Sequence, residues 1–209
     1  MTKETLQKLI AERGYIVSYA ANLNFATYDI VKGLPPRVSY ISLAVAVIGL
    51  IWNSINTCWI TVPILLLSIA CIYTEKYLAT IEDYAKRGVA NTNQWNELKR
   101  LYYQVKDSTD DSLYDGIQNR LQQVEEEFNS TAEYNQVLFA NWYAHYKLFA
   151  EKDYHWMDEQ LKFGFWKDKL PRSFEVILII LLISAIIAFC VNCPVISGWF
   201  ISLFDFCNQ

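Results

Sequence analysis

The chain has 209 residues and a net charge of −4, with 53% apolar and 19% charged residues, and the charged residues avoid two long apolar blocks. That distribution describes a membrane protein with a soluble middle, since a soluble chain of this length has nothing large enough to bury two adjacent charge-free arms. Lys and Arg are spread along the chain rather than clustered, which argues against direct nucleic-acid binding. Two histidines, seven glycines and five cysteines without zinc spacing leave out most catalytic, metal and cofactor constellations, so no enzyme, metal or cofactor is expected.

Residues 1–36 read as an N-terminal cytoplasmic helix, aromatic around much of its circumference, that packs on the middle of the chain. Gly33 would supply a left-handed cap and Pro35-Pro36 would end this helix, so that Arg37 sits at the headgroups. Charged residues precede every long apolar run, so no cleavable secretion signal is expected and the hairpin itself directs insertion.

Residues 37–75 read as a transmembrane hairpin. Val38 to Tyr73, VSYISLAVAVIGLIWNSINTCWITVPILLLSIACIY, carries no charge, and its polar break at residues 53–57 leaves two arms of about 18 residues, near the lower limit for crossing ~30 Å of hydrocarbon. Trp52 and Trp59 flank the break as anchors at one interface, and Tyr40 and Tyr73 mark the other. Ser42, Ala44, Ala46 and Gly49 are small enough to admit a neighbouring helix, which makes Ser42, Ala46 and Gly49 candidates for helix packing or a pore. Pro63 falls in the first turns of the second arm, where its missing donor costs little. Of the 18 Lys and Arg residues, none lies in the hairpin turn or after Arg172. The N-terminus and middle are therefore expected in the cytoplasm and the tip outside.

Residues 76–155 read as a cytoplasmic helical hairpin. Nothing stops the second arm after Tyr73, so it is expected to continue as a seam helix through Tyr77, Ile81, Tyr84, Gly88, Asn91, Trp95, Leu98, Tyr102 and Val105, spaced 4-3-4-3. After the loop Asp107 to Gly116, a second series runs through Ile117, Leu121, Val124, Phe128, Thr131, Asn135, Leu138, Trp142, His145 and Phe149. Two helices with matching seams are expected to pair antiparallel as a coiled coil. Asn91, Thr131, Asn135 and His145 fall on those seams, where a polar residue fixes register or oligomeric state. His145 reads as a satisfied seam histidine rather than a ligand, and Glu125-Glu126-Glu127 as a solvated face.

Residues 156–173 interleave rings with cations, so Trp156, Trp166, Lys167, Lys169 and Arg172 are expected as interfacial anchors at the inner headgroup layer. Residues 174–209 hold the apolar run Val176 to Val191, expected as a third transmembrane helix crossing outward. The tail would then lie at the outer interface, where Cys193 and Cys207 could pair. The fold expected is thus an all-α membrane protein: a transmembrane hairpin continuing into a cytoplasmic antiparallel coiled coil, plus a C-terminal third span.

Three stretches resemble the SLATT proteins, two-transmembrane effector domains of bacterial nucleotide-signalling and antiphage conflict systems. They are YIVSYAANLNFATYDIVKGLPPRVSYISLAVAVIG, IEDYAKRGVANTNQWNELKRLYYQV and LKFGFWKDKLPRSF. The resemblance implies an oligomeric inner-membrane effector that permeabilises the bilayer or forms a pore. Its activator would be a partner such as a nucleotidyltransferase, with its product, or a reverse transcriptase from a neighbouring gene, and its outcome abortive infection. The extra apolar helix from Val176 departs from the two-helix pattern. The alternative is a non-catalytic anchor or scaffold that recruits a soluble partner through its cytoplasmic hairpin.

Overall fold

Thr2 opens the first helix, its side-chain oxygen accepting from the Thr5 N–H at 3.3 Å, a cap that satisfies one orphan donor of the first turn. The computed structural model describes residues 2–52, 58–130 and 135–192, with residues 58, 59 and 187–192 described by backbone alone. Among the described residues 89% are helical and none lies in a strand. It forms two units, Met1–Phe163 and Gly164–Gln209.

In the first unit, α1 runs unbroken from Lys3 to Ile51, 49 residues or roughly 70 Å at the α-helical rise. The turn expected at residues 33–36 is absent. Pro35 and Pro36 lie inside the helix and Gly33 keeps a negative φ. Proline's fixed φ is already helical, so the pair costs the N–H donors it lacks and the crowding of each ring against the carbonyl one turn back. That loss is outweighed because buried side chains from Leu6 to Val31 hold the helix on one side of the prolines and the apolar arm continues it on the other.

The return path comprises α2 (Cys58–Thr74), a 3-10 stretch (Glu75–Thr80) and α3 (Ile81–Asp107), following one another without a loop. The expected continuity from arm to seam helix is present, with a tightened segment in the middle. Two threonines bracket it: the Thr74 hydroxyl donates to the Cys71 carbonyl at 2.7 Å, and the Thr80 hydroxyl to the Tyr77 carbonyl at 3.4 Å. These three-residue back-bonds compete with the four-residue ladder and favour the tighter winding.

All nine expected seam positions from Tyr77 to Val105 are buried. Their main partner is α1 rather than the following helix. Lys3 Nζ donates to the free carbonyls of Lys106 at 2.7 Å and Ser108 at 2.8 Å, where the α3 C-terminus is negative. At the other end Lys32 Nζ meets Glu82 at 2.5 Å. Between them α3 packs closely on α1, where a Cβ on Gly88 would lie 2.7 Å from the Phe25 ring; elsewhere on α1 a Cβ on Gly14 would overlap the indole of Trp156.

The second expected helix does not run from residue 117 to 149. α4 (Tyr114–Ser130) carries Ile117, Leu121 and Val124 into the core, Thr131 lies outside the described residues, and α5 (Ala140–Tyr146) begins only after Phe139 turns left-handed at φ 67°. The buried series there is Ala140, Ala144 and Leu148, so Leu138 is exposed and Trp142 and His145 are half-buried. A π-turn (Lys147–Glu151) and α6 (His155–Leu161) follow. α6 buries Trp156 and Met157 against Leu6, Leu98 and Tyr102. Trp156 is therefore a core residue and not an interfacial anchor. Its ring is 1% exposed, with its centroid 5.2 Å from that of Tyr102, because the indole fills the gap that Gly14 leaves.

The second unit begins with the short α7 (Phe165–Asp168), where the Gly164 N–H donates to Asp168 at 2.9 Å. α8 (Arg172–Asn192) is a 21-residue apolar helix whose large side chains from Val176 to Ile183 are exposed. Cys193 and Cys207 lie outside the described residues.

Gly14→Ala and Gly88→Ala are each expected to lower stability by about 1–3 kcal/mol, the range for forcing a methyl into a filled contact. Gly116→Ala, where a Cβ would meet nothing within 4 Å, should leave the melting temperature unchanged or raise it. Thermal melts followed by circular dichroism in detergent check all three.

Candidate functional site at the foot of the hairpin

Two helical stretches, Lys3–Ile51 and Ile60–Asp107, are long and apolar enough to cross a membrane. Their arms expose what a soluble protein buries, Leu50 at 88% and Leu65 at 62% among many. Few positions are covered: Val38, Ser42, Val45 and Gly49 on α1, and Ile64, Ser68, Ala70, Cys71 and Thr74 on α2. The small-residue patch is thus divided. Ser42 and Gly49 face the partner arm, with the Ser42 hydroxyl donating to the Val38 carbonyl at 2.8 Å, whereas Ala46 is exposed. Trp52 is exposed at the end of α1, while the side chain of Trp59 lies outside the described residues.

Below the arms, a group of hydroxyls ties three elements together. Tyr77 donates to the Gln136 carbonyl at 3.0 Å and Tyr84 to the Asn135 carbonyl. Thr27 of α1 donates to the Gln136 side chain at 2.6 Å, and the Tyr73 and Tyr77 hydroxyls are 3.1 Å apart. Asn135, expected on a buried seam, has an exposed side chain, and its backbone carbonyl is what takes part. Lys76 lies over the Tyr73 and Tyr77 rings at 4.2 and 4.9 Å, and Lys147 meets Asp29 at 2.7 Å. Beside this group a cleft of about 1000 Å³ opens between residues 28–37 of α1, the lower turns of α2 and the loop that carries Leu138 and Phe139.

A signal for this joint existed in the sequence. Tyr77 and Tyr84 stand a heptad apart on a buried seam, where a phenol needs a partner for its hydroxyl. Phe139 gave none, because the left-handed conformation is typical of Gly or Asn.

Further from the arms, Asn91 is buried on α3. The register set by Phe25 against Gly88 and by Lys32 with Glu82 puts Asn22 at its level on α1. His145 packs edge-on to Tyr19 and stacks on Phe149, and burial pushes its pKa below the ordinary value, so the ring is neutral at pH 7. Lys152 is held 5.0 Å over the Trp95 ring. Burial, reinforced by the charge of Lys147, brings its ammonium down to about 8. In the second unit Trp166, Lys167 and Arg172 are exposed and Lys169 is half-buried. Among the described residues no group of three or more His, Cys, Asp or Glu could hold a metal.

The described residues form an all-helical protein with two long stretches apolar enough to cross a membrane, each running on into the packed helical bundle. Over residues 1–178 it matches the SMODS and SLOG-associating 2TM effector domain 6, and the chain belongs to that SLATT family. No curated relative and no solved structure matches it.

Tyr77→Phe removes one bond to the 135–137 backbone and is expected to cost about 1 kcal/mol. Faster hydrogen exchange at residues 135–139 would localise the loss. Lys152 gives a pH signature. Its folded pKa lies below the ordinary value of 10.5, so between about 8 and 10.5 the unfolded chain holds a proton that the folded chain has released, and stability rises with pH across that window. Lys152→Met should melt higher than wild type at pH 7, with the difference shrinking towards pH 10.

Proposed function

We propose that the chain is a non-catalytic effector of a bacterial defence system that oligomerises in the inner membrane and permeabilises it. Its trigger would be a signalling partner, such as a nucleotidyltransferase with its product or a reverse transcriptase, acting on the cytoplasmic bundle. The observation that carries this reading is the lipid-sized apolar surface of the two arms, joined without a loop to the helices that form the soluble core. A force applied to α1 or α3 in the bundle has no flexible segment in which to dissipate before it reaches the arms. The family's description as a two-transmembrane effector associated with SMODS and SLOG domains agrees with it.

The positive-inside asymmetry supports a cytoplasmic N-terminus and bundle. In this reading α8 makes a third crossing and carries the C-terminus outward. Residues 179–192 of α8 fall outside the family match, so this crossing would be an addition of this chain. Ala46, exposed on α1 at the flank of the face that α2 covers, is the residue proposed to contact a second copy, because a methyl lets backbones approach closely.

Expression together with the neighbouring genes, followed by a phage trigger, should collapse the membrane potential as read by a voltage-sensitive dye. Ala46→Leu should cut the response by about tenfold, the effect of roughly 1.4 kcal/mol lost per contact, while leaving membrane insertion intact. An unchanged potential in the triggered wild type would overturn the proposal and leave the anchor reading, in which overexpression is tolerated and a soluble partner is recruited instead.

A further inference from the structure

We propose that the cleft at the foot of the hairpin binds one anionic glycerophospholipid of the cytoplasmic leaflet, its phosphodiester at Arg37 and an acyl chain along α2. The inference rests on reading α1 and α2 as a membrane hairpin.

The chemistry of the walls divides in the way such a ligand does. On the arm side the cleft is lined by Leu66, Leu67, Ile69 and Ala70, the lower apolar turns of α2, and it opens onto the exposed surface that hydrocarbon would cover. On the opposite side it is lined by Lys32 and Arg37 of α1. Of the charged residues that line it, only one is left without an answering charge. Lys32 is answered by Glu82 at 2.5 Å and also donates to the Tyr28 hydroxyl, and Asp29 is answered by Lys147 at 2.7 Å. Arg37 is exposed and makes no ion pair among the described residues, with its guanidinium folded back over Gly33. One unanswered guanidinium, which donates through a planar fork, suits a single phosphodiester charge. It also suits a position directly before the first arm, where a cation meets the headgroup layer.

The third wall explains why the occupant has a chain and is more than a headgroup. Leu138 and Phe139 line the cleft with 62% and 54% of their surfaces exposed, two large apolar side chains on the soluble part that stay more than half uncovered, although the Phe139 ring meets Trp142 edge-on at 5.1 Å. Phe139 holds φ 67°, a conformation costly for a phenylalanine and characteristic of backbone strain kept at ligand clamps. The turn leaves both side chains lining the same cleft as Leu66 and Leu67. A volume of about 1000 Å³ lies at the top of the range for small-molecule pockets, room for a headgroup and the first part of a chain whose remainder continues into the bilayer.

The test uses the full chain purified in an uncharged detergent and native mass spectrometry with phosphatidylglycerol, phosphatidylcholine or the water-soluble glycerophosphoglycerol added. The expected result is one phosphatidylglycerol retained per protomer, preferred over phosphatidylcholine by about tenfold, the value of one charge-assisted contact. Arg37→Gln should remove that preference. Ala70→Trp, which fills the apolar wall, should abolish retention of both lipids, and Lys86→Gln, a cation away from the cleft, should change nothing. Equal retention of the two lipids by wild type, or full competition by glycerophosphoglycerol, overturns the proposal. Flotation with vesicles and dye release separate it from the functional reading. A chain that floats and leaks yet retains no phosphatidylglycerol overturns the lipid site alone, whereas a chain that does not float overturns the hairpin reading as well.

Discussion

The close approach of α1 to its antiparallel return, with Phe25 occupying the space a Cβ on Gly88 would need, is the contact on which the rest depends. It fixes the register of two helices roughly 70 Å long and aligns Lys3 with the α3 C-terminus and Lys32 with Glu82. Everything else in the first unit is laid onto that pair. α4 closes the core near Leu98 and Tyr102, α6 inserts Trp156, and the 135–144 segment covers Tyr77, Ile81 and Tyr84.

A long pair of this kind needs register control, because an apolar seam alone tolerates slippage by a turn. Ser18, Asn22, Asn91 and Gln94 are buried within it. Buried amides at one level of an apolar seam disfavour every shifted alignment, at some cost in stability. The polar seam and Gly88 therefore work together: the glycine sets the distance between the helices and the amides set their offset. The same rigidity makes the joint around Gln136 the place where bundle and arms are coupled most directly, since α1, α3 and the 135–137 backbone all meet there.

Much of this was legible from the residues because apolar periodicity reports burial directly. Tyr77 through Val105 announced a seam and all nine positions are buried, and the charge-free arms announced helices with no protein to cover them. The identity of the seam's partner was not legible, because α1 is aromatic on several faces and shows no clean period. The two prolines misled for a related reason. They predict a stop from local chemistry alone, while burial from Leu6 to Val31 on one side and the apolar arm on the other hold the helix through them. Trp156 was read by its company of lysines, but a ring's position depends on which cavity is shaped for it, and that cavity is made by Gly14, more than a hundred residues earlier. The second heptad series failed where Phe139 adopts a left-handed conformation. The cleft, assembled from residues 28–37, 66–74 and 137–143, has no linear signature at all.

The 3-10 stretch Glu75–Thr80 has a geometric consequence for the arm above it. Six residues wound at three per turn are about 3 Å longer, and about 120° further wound, than the same six in an α-helix. The two windings differ by a screw. Conversion of this stretch to α-helix draws α2 towards the bundle by about half an α-helical pitch and turns it by a third of a revolution. The narrow face of Ile64, Ser68 and Cys71 would rotate away from α1, and the face of Leu66, Leu67 and Ala70 would take its place.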